Sequence, residues 1–330
     1  MGHKPRILVV GSFVMDQIVI TDVFPQEGQT VLGRSFSKAP GGKGANQAVQ
    51  VARLGAEVSM LGKLGKDANG SELIAACRDA GVDTKNILFD ETTPSGCSVI
   101  ILENNADGSC ANRIIVVSGS NMQISNSDVV FLKNEIRNYD LVMLQHEIPS
   151  DVNDLVASYA FAAGVPVMLN PAPSAPISDS LLSHLTYISP NEHEAEDLTG
   201  VHIGHDGANV SRTDVKKAAS ELRKKGVGNV LITLGSAGAA LFNDDGDFYA
   251  PCVQEIAAVD PTAAGDSFVA AFCVGVCCGW GWEEILQFAN HTASLTVSKL
   301  GAMPSLPGIE QVESLLRSRS RVQIDTTHLK

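Results

Sequence analysis

Short, continuously apolar runs alternate along this chain with longer stretches of helical periodicity, and this alternation limits the available folds more than any other feature. The strand candidates are Arg6–Gly11, Glu57–Leu61, Leu141–Gln145, Pro166–Leu169, Tyr187–Ile188 and Val230–Thr233. Most are apolar at every position, as strands covered on both faces must be. Between them the sequence predicts helices over Gly44–Leu54, Asn69–Ala80, Ser127–Asn134, Asp151–Ala163, Glu192–Thr199, Arg212–Lys225, Gly265–Cys278, Trp282–Leu300 and Ile309–Ser318. Strands and helices that alternate through right-handed crossovers build a mostly parallel sheet between two helical layers. The expected fold class is α/β, a three-layer α/β/α sandwich.

A second pattern interrupts the first. Gln17–Thr21, Gln29–Ser37, Cys97–Glu103 and Arg113–Ser118 read as strands with no helices between them. Two of them flank Asn104-Asn105-Ala106-Asp107-Gly108, a hairpin signal. We read these runs as a small β-sheet lid, made by the excursions 13–40 and 95–118 from a core of 1–12, 41–94 and 119–330. Such a sheet suits the covering of an active site; a plain extension of the main sheet's edge is the alternative. His202–Arg212 reads as a polar surface loop, and the tail Arg319–Lys330 is expected to fray.

Charge and cysteine usage exclude some functions. With 24 basic against 37 acidic residues the net charge is −13, which argues against a nucleic-acid partner needing clustered Lys and Arg. A small anion remains open, because a few backbone N–H groups bind one locally. The seven cysteines form no regular framework and no Cys-x-x-Cys pair, so they read as reduced thiols of a cytosolic protein. The opening run Ile7-Leu8-Val9-Val10 is too short for a signal sequence, and no stretch approaches a membrane span.

The segment Val259-Asp260-Pro261-Thr262-Ala263-Ala264-Gly265-Asp266-Ser267-Phe268 leads into a long apolar helix. Small residues at 263–265 let a ligand approach the backbone, and amides that open a helix have no partner inside it. They form an anion hole reinforced by the positive helix end. Asp266 at that point is either a helix cap or a base beside a phosphoryl group. Phosphoryl transfer needs an oriented hydroxyl, a proton acceptor and stabilised charge on the moving oxygens.

Ala39-Pro40-Gly41-Gly42-Lys43-Gly44-Ala45-Asn46-Gln47-Ala48 is a second glycine-rich entry to a helix. It lacks the spacing of a P-loop. The first strand is followed by Gly11-Ser12-Phe13-Val14-Met15-Asp16 rather than a dinucleotide fingerprint, so a dehydrogenase reading loses its support.

Together these two segments resemble the signatures of the ribokinase family of carbohydrate kinases, also called the PfkB family. Gly41-Gly42-Lys43-Gly44-Ala45-Asn46 is similar to the N-terminal signature and Asp260 through Phe268 to the C-terminal one. Further landmarks follow in order: Gln145-His146-Glu147, Leu169-Asn170-Pro171-Ala172-Pro173, Pro190-Asn191-Glu192-His193-Glu194, Thr233-Leu234-Gly235-Ser236-Ala237-Gly238 and Gly301-Ala302-Met303-Pro304-Ser305. The resemblance spans roughly Arg6 to Leu316.

The resemblance implies an ATP-dependent kinase that phosphorylates D-ribose at O5. It implies that Asp266 is the base, with Ala263, Ala264 and Gly265 forming the anion hole. Asp16 would bind sugar hydroxyls, with Gly42, Lys43, Asn46 and Glu147 around the sugar. Asn191 would face the ATP phosphates, Thr233, Gly235, Ser236 and Gly238 would line the nucleotide, and Asn290 would border the adenine. Glu194 would hold magnesium through water. Asp260, the carbonyls of Thr262, Thr296, Lys299 and Gly301, and the Ser305 hydroxyl resemble a potassium site that stiffens the anion-hole loop. A homodimer through the lid is implied as well. The residues alone leave plainer roles open: Asn191 as a helix cap, Glu192, Glu194 and Glu196 as a solvated first turn, Asp16 as a turn residue and His193 at the surface.

The chain departs from the family pattern at Val14 and Val269, where bacterial members often carry Asn. Val14 cannot hydrogen-bond a 2-hydroxyl, so 2-deoxyribose is expected to be a better substrate here than in Asn-bearing relatives. Pro261 removes one N–H and leaves 263–266 as expected donors. The rival readings are a kinase of 2-deoxyribose, a nucleoside or another small sugar, and a non-catalytic sugar- or nucleotide-binding regulator on the same fold.

Overall fold

The computed structural model describes residues 4–104, 110–206, 209–253, 256–320 and 322–330. The turn residues 105–108 between two lid strands, and 207–208 of the polar loop, lie outside the described residues.

The chain begins with β1 (Arg6–Val10), then makes a first excursion of β2 (Val14–Thr21) and β3 (Ser35–Gly41) before α1 (Lys43–Arg53). After β4 (Glu57–Gly65), α2 (Ala68–Asp79) and β5 (Asp83–Asp90) comes a second excursion, β6 (Cys97–Asn104) and β7 (Cys110–Val117). Short helices α3 (Asn126–Val129) and α4 (Leu132–Glu135) lead to β8 (Leu141–Gln145), α5 (Ser150–Ala163), β9 (Val167–Asn170), α6 (Asp179–His184), β10 (Tyr187–Ile188) and α7 (Glu192–Thr199). A small ribbon, β11 (His205–Asp206) and β12 (Asn209–Val210), precedes α8 (Arg212–Lys224). The chain ends with β13 (Asn229–Thr233), β14 (Ala239–Asn243), β15 (Gly246–Ala250), α9 (Ala264–Cys277), α10 (Trp282–Val297) and α11 (Ile309–Arg319).

The main sheet has nine strands in the order β15-β14-β13-β10-β9-β8-β1-β4-β5. It is parallel except where β14 pairs antiparallel with β13 and β15. The uninterrupted apolar runs now have a cause. Ile7 and Val9 of β1 join a core with α1, α2, α9, α10 and α11, while Leu8 and Val10 join a second core with α3 to α8. The strand has two buried faces, so both alternate sets of side chains must be apolar.

The two excursions meet in a separate four-stranded sheet, β3-β2-β6-β7. β2 is antiparallel to β3 and parallel to β6, and β6 is antiparallel to β7. The expected strand Gln29–Ser37 is displaced to Ser35–Gly41, because the register with β2 runs from Ile20↔Ser35 to Val14↔Gly41 and carries the strand directly into α1.

Other differences have local causes. The helix expected over Ser127–Asn134 is broken into α3 and α4 at Val130 and Phe131, which join β-branched Val129 in a run of weak helix formers. The edge strands β5 and β15 have no long apolar run like that of a central strand, while β14 between β13 and β15 is a short buried run outside the expected set. The tail does not fray. Leu329 is only 2% exposed and packs on the core beneath α1 and α10, so the tail is held by the burial that a fraying end lacks. Among the described residues, no helix is long and apolar enough to cross a membrane.

Candidate active site

The predicted functional residues gather where the parallel strands end. Ser12 follows β1, Glu147 follows β8, Asn170 closes β9, Asn191 follows β10 and Thr233 closes β13. Open α/β sheets present their ligand crevice at these carboxyl ends. The N-termini of α1, α7 and α9 enter the same region, since each of these helices starts from the end of a strand or a returning loop.

The loop before α9 is tied down from two sides. Asp260 Oδ1 accepts from the Thr262 amide at 2.9 Å and its hydroxyl at 2.6 Å, and Oδ2 accepts from the Gly301 amide at 2.8 Å. The amides of Val259 and Asp260 both donate to the Val297 carbonyl. Ala263 then takes φ 61°, the one left-handed non-glycine among the described residues. That conformation costs about 1–2 kcal/mol for an L-residue and turns successive N–H groups toward one side, a nest for an anion. One expectation needs correction: the Ala264 amide already donates to the Pro261 carbonyl at 3.2 Å, because that turn closes the loop onto the helix. Among the described residues the amides of Ala263, Gly265 and Asp266 have no protein acceptor.

Asp266 is 5% exposed and held at both oxygens. Asn46 Nδ2 donates to Oδ2 at 2.8 Å and Gln47 Nε2 to Oδ1 at 3.2 Å. Both donors lie in the first turns of α1, which packs against α9. Gln47 was not singled out by the sequence reading, nor were Gln145, Asn170, Ser12 and Ser98 as site residues. Gln47 lies inside the glycine-rich segment Ala39–Ala48 and Gln145 and Asn170 inside later landmarks, where burial sets these three amides apart.

On the lid side, Ser98 Oγ donates to Asp16 Oδ1 at 2.5 Å. Burial raises the Asp16 carboxyl above its ordinary range; the Ser98 bond opposes this, and the nearby carboxylates Glu147, Asp260 and Asp266 add to it. Glu147 Oε2 accepts from the Ser12 hydroxyl at 2.5 Å and from the Lys43 amide at 3.0 Å. The turn between β3 and α1 needs glycine: Gly42 has φ 94°, and a Cβ there would stand 2.6 Å from the Val14 nitrogen. Burial alone would lower the Lys43 ammonium, but the carboxylates of Asp266, Glu147 and Glu194 outweigh it and raise the group, so Lys43 stays a cation. Together with Asn170, Asn191, Gly265 and Asp266 it lines a cavity of about 200 Å³.

A larger cavity of about 560 Å³ adjoins this one and shares Asn191, Thr233, Pro261 and Gly265 with it. Gly235, Ser236, Gly238 and Asn290 also line it, with an apolar wall that includes Val253, Ile256 and Phe268. Asn290 directs its Nδ2 to the carbonyls of Ala250 at 3.1 Å and Pro251 at 3.2 Å, so its amino group fixes the cavity wall. Asn191 does cap α7: its Oδ1 accepts from the Glu194 amide and Glu194 Oε2 accepts from the Asn191 amide, both at 2.8 Å. The capping Asn191 also lines both cavities. Burial raises the Glu194 carboxyl, with the Asn191 bond and Lys43 opposing.

The donor sets for cations are oxygen-only, which suits hard ions. Among the described residues, no three His, Cys, Asp or Glu side chains converge on a metal position. Asp260, Thr262 and Gly301 are joined directly, as above. The Thr296 carbonyl accepts from the Lys299 amide at 3.2 Å and the Ser305 hydroxyl donates to Ala302 O at 2.7 Å, so these two are engaged within their own turns while their second lone pairs remain.

Known proteins share this arrangement of chain. The profile of the pfkB family carbohydrate kinases matches residues 4–309. A ribokinase of Bacillus subtilis is 38% identical over 311 residues, 94% of this chain and 99% of its own. A ribokinase of Schizosaccharomyces pombe is 35% identical over 93% of this chain and 96% of its own. The structure of Arabidopsis thaliana ribokinase complexed with ribose and ATP superposes with a TM-score of 0.85 at 36% identity, covering 96% of this chain and 99% of that one. Agreement over nearly the whole length, not only at two glycine-rich segments, establishes that this chain belongs to the pfkB family of carbohydrate kinases.

Proposed function

We propose that this chain transfers the γ-phosphoryl group of ATP to O5 of D-ribose, giving D-ribose 5-phosphate and ADP. The observation that carries the reading is the position of Asp266: a buried carboxylate, held at both oxygens, beside unclaimed amides where two cavities meet. In this reading the sugar lies on the small-sheet side of Asp266 against Asp16, Gly42, Lys43, Asn46 and Glu147, of which Lys43 also lines the smaller cavity. ATP lies in the larger one, along Thr233, Gly235, Ser236, Gly238 and Asn290, with its phosphates toward Asn191. Asp266 takes the proton from the 5-hydroxyl as O5 bonds to the γ-phosphorus, and the bond from that phosphorus to the bridging β,γ-oxygen breaks. The amides of Ala263, Gly265 and Asp266 donate to the moving oxygens, with the helix end adding favourable charge.

Glu194 would hold magnesium through water, where the ion draws negative charge off the phosphates. Asp260, Thr262, Thr296, Lys299, Gly301 and Ser305 would hold potassium and stiffen the loop bearing Ala263. Segments 13–40 and 95–118 act as the lid, and its uncovered Phe36, Ile114, Ile115, Val116 and Val117 favour a homodimer through that sheet. A cytosolic location follows from reading the cysteines as reduced thiols.

A second reading, a 2-deoxyribose kinase, is favoured by Val14, which offers no side-chain hydrogen bond to a 2-hydroxyl. ADP release measured with ribose, 2-deoxyribose and adenosine, with and without potassium, separates the readings. Asp266→Asn is expected to lower kcat by roughly 10²–10⁴ while ATP binding persists. A variant that kept its rate would remove Asp266 as the base.

A further inference from the structure

We propose that Gln47 is a positioning residue for the reaction: its carboxamide sets the orientation of the Asp266 carboxylate through a directed chain of buried amides. The inference rests on reading Asp266 as the base. Gln47 is fully buried on α1. Its Oε1 accepts from Gln145 Nε2 at 2.7 Å, and its Nε2 stands 3.2 Å from both Asp266 Oδ1 and Asn170 Oδ1. Asn170 in turn directs Nδ2 to the Ser189 carbonyl at 2.9 Å. Each amide therefore has one orientation that satisfies its neighbours. Flipping Gln47 would set its oxygen against two acceptors and its amino group against a donor.

This chain joins α1, β8, β9 and α9 at one point, and its donors are neutral. Lys43 acts on Asp266 through charge, while the two side-chain donors that touch the carboxylate are the amides of Asn46 and Gln47. The carboxylate is thereby held by two neutral donors, one at each oxygen. Asn46 alone holds one oxygen and leaves rotation about it; the second contact from Gln47 removes that freedom. Holding a reacting group in its productive geometry is worth orders of magnitude in rate.

The test compares Gln47→Met with Gln47→Glu, both close to the native shape. Gln47→Met removes the donor at every pH. Gln47→Glu removes it only while the new carboxyl is ionised, when it also repels Asp266. At pH 8 both variants should lose roughly tenfold or more in kcat, with KM for ATP within about twofold of wild type. Lowering the pH toward 5.5 should restore part of the loss in Gln47→Glu relative to wild type and none in Gln47→Met. A purely structural role would not give that contrast. If neither variant folds, Gln145→Met, which releases Gln47 Oε1 without touching Asp266, should lower kcat at unchanged KM for ATP. Wild-type kcat in Gln47→Met or Gln145→Met, or the same pH profile in Gln47→Glu and wild type, overturns the proposal. Asp266→Asn run alongside separates the two claims: inactive Asp266→Asn with active Gln47→Met sinks only the positioning role, whereas active Asp266→Asn sinks both.

Discussion

Asn46 and Asp266 lie 220 positions apart in sequence, yet the side-chain amide of one donates to the carboxylate of the other at 2.8 Å. The contact joins the first turn of α1 to the first turn of α9, the helices that follow the two glycine-rich segments. Asn46 Oδ1 is buried with no partner among the described residues, so the same side chain can hold Asp266 with its nitrogen and receive a substrate hydroxyl with its oxygen.

We predict from this that Asn46→Ala loses both bonds. A hydrogen bond to a charged group contributes about 1.5–3 kcal/mol, so kcat/KM for the sugar should fall roughly 10–100-fold, with KM for ATP little changed. Steady-state kinetics with each substrate varied check this; a larger change in KM for ATP than for the sugar contradicts the placement.

The Asp16 carboxyl gives a prediction in pH. Burial raises it above 3.8, so the folded protein holds its proton more tightly than the unfolded chain does. The sign follows: this group adds stability at low pH and loses it as pH rises through the folded value. In the proposed reading its ionised form accepts sugar hydroxyls, so function and stability would pull in opposite directions. KM for the sugar should rise as pH falls toward the raised value, earlier than an ordinary carboxylate would require. Asp16→Asn should raise Tm at pH 8 and raise KM for the sugar about tenfold or more. Melting curves and kinetics on one preparation test both, and a lower Tm in the variant counts against the account.

The two helical layers and the nearly parallel sheet are legible in the sequence because burial on both faces forces apolar residues along the central strands, and the small separate sheet is legible as strand-like runs with no helix between them. Edge elements obey a weaker constraint. β5 and β15 have one open side and mixed composition, so they escape a search for apolar runs. At the site, residues in glycine-rich or helix-opening motifs are legible: Asp266, Gly42, Lys43, Asn191. The amide chain of Gln47, Gln145 and Asn170 is not, because neutral amides on a helix and two strands carry no local pattern. Their role exists only once the strands are laid side by side. The internal bond of the Ala264 amide is hidden for the same reason, since it depends on the turn at Pro261.

Val14 opens β2 two residues before Asp16, so the two side chains share one face of the strand. That face carries the Asp16 carboxylate into electrostatic reach of Glu147 and Asp266. If Asp16 accepts a sugar hydroxyl as proposed, an amide at position 14 would meet a neighbouring one. Val14→Asn should therefore raise the ratio of kcat/KM for ribose over 2-deoxyribose by roughly tenfold, the scale set by one neutral hydrogen bond. Parallel assays of the two sugars in wild type and variant give the ratio directly. An unchanged ratio would show that position 14 does not read the 2-hydroxyl.

The C-terminal tail is a structural clasp, and its removal should lower stability while sparing the reaction. Leu329 packs into the core. Gly55 makes room for it: a Cβ there would fall 1.9 Å from the Leu329 carbonyl. Trp280 Nε1 donates to Asp325 O at 3.2 Å, the Thr326 hydroxyl donates to Glu313, and Lys330 Nζ lies 3.0 Å from the same carboxylate. Burial would raise the Glu313 carboxyl, but Thr326, Lys330 and Arg317 together lower it below 4.5. Its contribution is thus present above the unfolded value and lost as pH falls through the folded one. Leu329→Ala should cost about 2–4 kcal/mol, read as a Tm lower by roughly 5 °C. The tail meets the chain at Gly55, just past the C-terminal end of α1 and eight residues beyond Gln47, about 12 Å at helical rise. At 25 °C kcat should stay within about twofold of wild type. A variant with native Tm would mean that the tail rests on the core without stabilising it, and one with native Tm but lost activity would place the tail in the catalytic cycle instead.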